Sequence, residues 1–171
     1  MINKKRVLIP LDGSAFSLKI LEPIKQLLSP ELFELIILCV EVEPKGQISA
    51  PRVLTGSDVP STMHQSHRDA VLEHHPVYAN QEEASIEGHV RQAFSQLLRS
   101  LTNFGYETRL EIRFGEPAHE ILAYTETSDV DMIALTTHSR SGVSRMLFGS
   151  VASELIRRSN LPVLTINPKE R

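Results

Sequence analysis

"DMIALTTHSRSGVSRMLFGSVASELIRRSNLPVLTI" runs from Asp131 to Ile166. Its two ends, DMIALTT and LPVLTI, are short apolar runs and read as strands. Between them Val151, Leu155 and Ile156 recur on one face of a helix that Asn160 closes. A strand, a loop, a helix and a second strand form the unit from which parallel sheets are built. The loop, Thr136 to Ser150, is rich in Ser, Thr and Gly and carries Arg140 and Arg145. Gly149 precedes Ser150 at the helix start, where free backbone N–H groups and the helix dipole favour an anion. Ser150 is expected to cap the helix or to donate to a phosphate oxygen. The plainer alternative is an N-capped helix with solvated arginines.

The pattern continues toward the N-terminus. RVLIPL, Arg6 to Leu11, reads as a buried strand broken by Asp12-Gly13-Ser14. Phe16, Ile20, Ile24, Leu27 and Leu28 then fall at helical spacing, with Ser14 as a plausible N-cap. ELIILCVEV, Glu34 to Val42, is apolar on both faces at its centre, as in a sheet covered on both sides. From Pro44 to about Gln81 the periodicity stops, and this stretch reads as an irregular insertion in one domain spanning 1–171. Order returns with the amphipathic series Ile86, Val90, Phe94, Leu97, Leu98 and Leu101. YETRLEIRF, Tyr106 to Phe114, is an alternating strand, more exposed than the others. GEPAHEILAYTETSD is a turn and a helix, with Pro117 at a permitted first-turn position.

The whole is an α/β chain: five strands alternating with helices, hence a mostly parallel sheet with helices on both faces. In such sheets ligands sit beyond the carboxyl ends of strands where the strand order reverses. The candidate loops are those after Leu11, Val42, Phe114 and Leu135.

Composition narrows the function classes. The chain has 171 residues and a formal net charge of -3, without the basic footprint of general nucleic-acid binding. No apolar stretch approaches the roughly 20 residues of a membrane span. The start, MINKKRVLIPLDGS, lacks a secretory apolar core. The single cysteine, Cys39, cannot form an internal disulfide and suggests a reducing, cytoplasmic setting. Placed mid-strand, it reads as an inert core thiol and not a nucleophile. No standard phosphate loop or serine-hydrolase elbow is present. His64, His67, His74 and His75 suggest either a metal site or a solvated loop, and the lack of an accompanying Cys favours the loop. His119 reads as surface, whereas His138 lies inside the candidate loop. No catalytic residue and no protein metal site is assigned.

Three segments, in order, resemble the universal stress protein family. They are "RVLIPLDGSAFSLKILEPIKQL", "RFGEPAHEIL" and "DVDMIALTTHSRSGVSRMLFGSVASELIRRSNLPVLTI". The resemblance implies a Rossmann-like open sandwich, a homodimer and, in one branch of the family, ATP binding. That branch carries Gly, two residues, Gly, nine residues, then Gly followed by Ser or Thr. Here Gly149-Ser150 matches the end and Arg140 to Phe148 is the spacer, but Thr136 and Ser139 replace the first two glycines.

Carried over by position, Pro10 and Asp12 would lie beside the adenosine and Val40 would meet the adenine through its backbone. Leu135 and Thr136 would flank the nucleoside. His138, Ser139, Arg140, Gly149, Ser150 and Val151 would surround the phosphates, and Gly115 with Pro117 would shape a neighbouring loop. The resemblance thus implies a stress-response regulatory protein that binds ATP or another adenine nucleotide, with Mg2+ carried on the phosphates and not in a protein cage. The alternatives are a nucleotide-free dimer acting through protein contacts, and a weak ATPase. The strand 161–166 is the expected dimer edge, unnamed protein partners are expected, and neither nucleic acid nor membrane is.

Overall fold

The computed structural model describes residues 3–44, 76–137 and 149–168, excluding the side chains of 76–81. The described strands are β1 (Lys5–Pro10), β2 (Phe33–Glu41), β3 (Glu107–Phe114), β4 (Met132–Thr136) and β5 (Val163–Ile166). They form one five-stranded parallel sheet in the order β3-β2-β1-β4-β5. The expected α/β fold is therefore the observed one. The chain moves outward from β1 through β2 to β3, then crosses to the other side of β1 for β4 and β5. The order reverses between β1 and β4, and the loops leaving these two strands part there.

The described helices are α1 (Leu21–Leu27), α2 (Pro76–Phe104), α3 (Pro117–Thr127) and α4 (Ser150–Arg158), with a 3-10 turn at Ser17–Ile20 ahead of α1. Along β1 and β2 successive side chains alternate between faces, and both faces are buried. Leu8, Ile36 and Leu38 join Ile133 and Leu135 of β4 under Ile121 and Leu122 of α3 and Ala152 and Leu155 of α4. Val7, Ile9, Leu35 and Ile37, the alternate set, are fully buried too. Ile20, Ile24, Phe94 and Leu101, on the 3-10 turn, α1 and α2, are buried as well. The Tyr106 hydroxyl donates to the carbonyls of Leu28 and Ile24, which fixes the end of α1 against the start of β3.

Several local expectations differ from the structure. The helix expected from Phe16 begins as a 3-10 turn, because Pro23 has no N–H with which to continue the i→i−4 ladder. Ser14 does not cap α1; its Oγ accepts the N–H of Ser17 at 3.1 Å and closes the preceding turn. Leu27 and Ile156, counted on apolar helix faces, are exposed. The helix before β3 begins at Pro76, so the last residues of the presumed irregular stretch are helical. α4 is closed by Ser159, not Asn160. The remainder of that stretch, with His64, His67, His74 and His75, lies outside the described residues.

The chain divides into two compact units. One comprises Met1–Val42 with His89–Arg171 and carries the sheet; the other is Glu43–Gly88, whose described residues include the first turns of α2.

Candidate functional site

The crevice at the switch point is built from strand ends and the turns that follow them. β1 ends at Pro10, and Leu11 continues it by donating its N–H to the Leu38 carbonyl at 2.9 Å. Gly13 then turns the chain with φ +75°, a conformation L side chains rarely adopt. The turn holds itself together. Asp12 Oδ1 accepts the Ser14 N–H at 2.9 Å, and Ser17 Oγ donates to the Ser14 carbonyl at 3.1 Å. Burial acts to raise the Asp12 carboxyl's pKa, but hydrogen bonds from Ser17 and Ser14 outweigh it and hold the group below the ordinary carboxylate range. Asp12 is therefore an ionised, oriented acceptor at neutral pH.

The opposite wall is the start of α4. Gly149 is its N-cap, in extended backbone with φ -62° and ψ 167°, and among the described residues no side chain caps the first turn. Ser150 is thus the first helical residue and not the cap that its sequence position suggested. A Cβ built on Gly149 meets no described atom within 4 Å. Positive φ does not require the glycine, and it lines the crevice with open space at its Cβ position among the described residues.

These walls enclose a cavity of about 300 Å³. Pro10, Asp12, Val40, Leu135, Thr136, Gly149, Ser150 and Val151, all singled out in the sequence, line it together. Leu11, Phe16, Ser17, Leu38, Ile121, Thr137 and Ala152 also line it and were not singled out; most read in sequence as ordinary core or helix positions. Gly115 stands apart from the lining, but Pro117, two residues on, belongs to it. Gly115 has φ +141°, and a Cβ there would come within 3.1 Å of Glu120, so its glycine shapes the β3–α3 turn. His138, Ser139 and Arg140 lie outside the described residues.

Thr136 settles half of the question raised by the missing glycines. It ends β4 in extended backbone, paired with Ile166, a conformation that any residue adopts. Replacing glycine by threonine there introduces no backbone strain.

Two neighbours have ordinary roles. Cys39 is buried, and burial foremost, with Glu41 and Asp12 adding to it, pushes its thiol up to about 12, so it carries no thiolate at neutral pH. His119 is largely exposed, with Nδ1 3.2 Å from Glu120 Oε1. Among the described residues no group of His, Cys, Asp and Glu is placed to hold a metal ion. No helix among them is long and apolar enough to cross a membrane.

An open parallel α/β sheet with a cleft at its switch point defines a large class of ligand-binding proteins. Within that class the chain matches the universal stress protein family over residues 4–167, and it belongs to that family. It is 27% identical to universal stress protein YxiE of Bacillus subtilis over 166 residues, 97% of this chain and 99% of that one. It is 28% identical to universal stress protein MJ0531 of Methanocaldococcus jannaschii over 81 residues; this match spans about half the relative's length, 48%, and 47% of the chain. The solved structure of MJ0577 superposes with a TM-score of 0.68 at 23% identity, covering 98% of both chains. A universal stress protein family protein from Arabidopsis thaliana, solved with AMP bound, gives 0.58 at 15% identity, covering 96% of this chain and 92% of that one.

Proposed function

We propose that this universal stress protein binds an adenine nucleotide in the cleft between β1 and β4 and serves the stress response as a cytoplasmic regulatory module. One observation carries the reading: an ionised carboxylate, Asp12, and the start of α4, uncapped among the described residues, line a single largely apolar cleft at the switch point. The cavity, about 300 Å³, lies at the lower end of the range typical for small-molecule sites, roughly 300–1,000 Å³. Leu38, Val40 and Ile121 suit the apolar face of a base. Asp12 suits the sugar hydroxyls as an acceptor, and the first N–H groups of α4 suit a phosphate. The AMP held by the Arabidopsis family member supports the same ligand class. A divalent ion would travel on the phosphates. The reading assigns binding and regulation, and no catalytic residue.

The test is direct. Mass spectrometry of small molecules released from freshly purified protein is expected to recover ATP, ADP or AMP, and calorimetry to show AMP or ATP binding below millimolar concentration. No nucleotide recovered and no heat of binding at millimolar ATP, with and without magnesium, would sink the reading.

A second feature concerns assembly. β5 is an edge strand, and its residues Val163–Ile166 are only half-buried. An apolar edge of this kind supports pairing with a second copy. Wild-type protein sedimenting as a monomer at micromolar concentration would remove that part of the proposal.

A further inference from the structure

The nucleotide reading gives no role to the aromatic member of the cleft, Phe16. Its sequence spacing groups it with Ile20 and Ile24 as a core position. Those two are fully buried, whereas Phe16 is half-buried and lines the cavity. Among the described lining residues it is the sole aromatic. Its backbone is held from both sides. The Phe16 carbonyl accepts the Lys19 N–H at 3.1 Å, and the Ser14 carbonyl accepts the Leu18 N–H at 3.2 Å. The Lys19 ammonium lies 5.9 Å from the ring centre, within cation–π reach, and adds a further hold on the side chain. The result is an apolar ring on a fixed turn, in the same cavity lining as Asp12 and the aliphatic Leu38, Val40 and Ile121.

We infer that the Phe16 ring is a stacking wall for the ligand's base, making it a specificity-determining residue that selects ligands carrying an aromatic base over sugar phosphates alone. The inference rests on the nucleotide reading above. A heteroaromatic base offers a π-face to such a wall, and an aromatic side chain returns more from that contact than an aliphatic one of similar size. Base–aromatic stacking is lost at about 5-fold to about 150-fold in affinity when the ring is truncated to alanine.

The experiment compares AMP with ribose 5-phosphate, which keeps the sugar and phosphate but lacks the base. Calorimetry is run on wild type, Phe16→Ala, Phe16→Leu and Phe16→Tyr, with nuclear Overhauser effects recorded between phenylalanine ring protons and adenine H2 and H8. AMP binding is expected to weaken at least about 5-fold in Phe16→Ala. It should weaken less in Phe16→Leu, which keeps apolar cover, and be retained in Phe16→Tyr. Ribose 5-phosphate binding should be indifferent to all three. The Overhauser contact should be present in wild type and absent in Phe16→Leu. Equal weakening of both ligands would show that Phe16 only holds the turn, and would overturn the inference. So would unchanged AMP affinity, or bound AMP without the ring contact. If the alanine variant does not fold, the leucine and tyrosine variants and the wild-type contact still decide. Wild type that binds no AMP at all defeats the nucleotide reading itself, an outcome distinct from wild type that binds AMP without using Phe16.

Discussion

Two helices begin at the carboxyl end of the sheet's strands, and they begin differently. α3 follows β3 with Glu116 as its N-cap. The Glu116 carboxylate accepts the His119 N–H at 2.8 Å, and Pro117 occupies the first helical position, where no donor is wanted. α4 follows β4 behind Gly149, with no side-chain cap on its first turn among the described residues. The first four N–H groups of any helix need acceptors from outside it. α3 meets part of that need from its own sequence, whereas no described side chain meets it at α4. Both starts contribute to the cleft, Pro117 from one and Gly149 to Ala152 from the other. The second, which has no described side-chain cap, is the better suited to offer donors to an anion.

The largest effect that can break this contrast comes from Gly149→Val. An added Cβ meets no described protein atom within 4 Å and the backbone there is unstrained, so the fold should tolerate the change. The valine side chain should instead occupy the approach to the α4 donors. Losing a hydrogen bond to a charged phosphate costs about 1.5–3 kcal/mol, roughly ten-fold to more than a hundred-fold in affinity. Calorimetry with ATP, paired with a thermal melt, measures both quantities. Undiminished ATP affinity in a folded variant would mean that the α4 start is not used. Gly149→Ser sharpens the point, because a serine cap would make α4 resemble α3 and compete with the ligand for the same N–H groups.

Glu116→Ala tests the other side at a smaller scale. Removing a capping side chain costs about 1 kcal/mol of stability. The expected result is a lower urea midpoint with unchanged slope, and nucleotide affinity equal to wild type. A variant with normal stability but weakened binding would reverse the roles assigned to the two helix starts.

The sequence made the sheet legible because its buried strands are short β-branched runs bounded by Gly, Pro and Asp, as in RVLIPLDG and DMIALTT. The cleft was legible where a residue's position relative to a strand end implied its place, as for Pro10, Asp12 and Leu135. It was less so for Phe16 and Ile121, whose helical spacing reads as core whether they face the sheet or the cleft. Cap identity also eluded the pattern. Ser150 and Gly149 are adjacent, and only backbone angles show that the glycine stands at the cap and the serine one residue inside. The start of α2 was missed for a different reason. PVYANQEEAS, Pro76 to Ser85, is polar and lacks an apolar stripe, so hydrophobic spacing carries no helix signal there.

The smallest effect concerns the third wall, the turn after β1, which like α3 satisfies itself internally. Asp12 ties that turn to the Ser14 N–H, and its carboxyl is held below the ordinary value of about 3.9. The sign follows from linkage. A carboxyl with a depressed folded-state pKa binds fewer protons folded than unfolded in the intervening pH range, so its contribution is fully present above the unfolded value. It is lost as pH falls through the folded value. Asp12 is exposed, and solvent screening keeps its contribution below about 1 kcal/mol. Asp131 is depressed as well, by Lys5 and the Arg6 N–H at the other end of the sheet, so the acid limb of the wild type alone does not isolate Asp12. The comparison with Asp12→Asn does. The wild type should exceed the variant in unfolding free energy at pH 7, and urea titrations at successively lower pH should show that gap closing from about pH 4 downward. A gap that stays constant through this window would mean that the Asp12 charge contributes nothing to the turn. The carboxylate would then be free to reorient toward a ligand, and the β1 wall would resemble α4 more than α3.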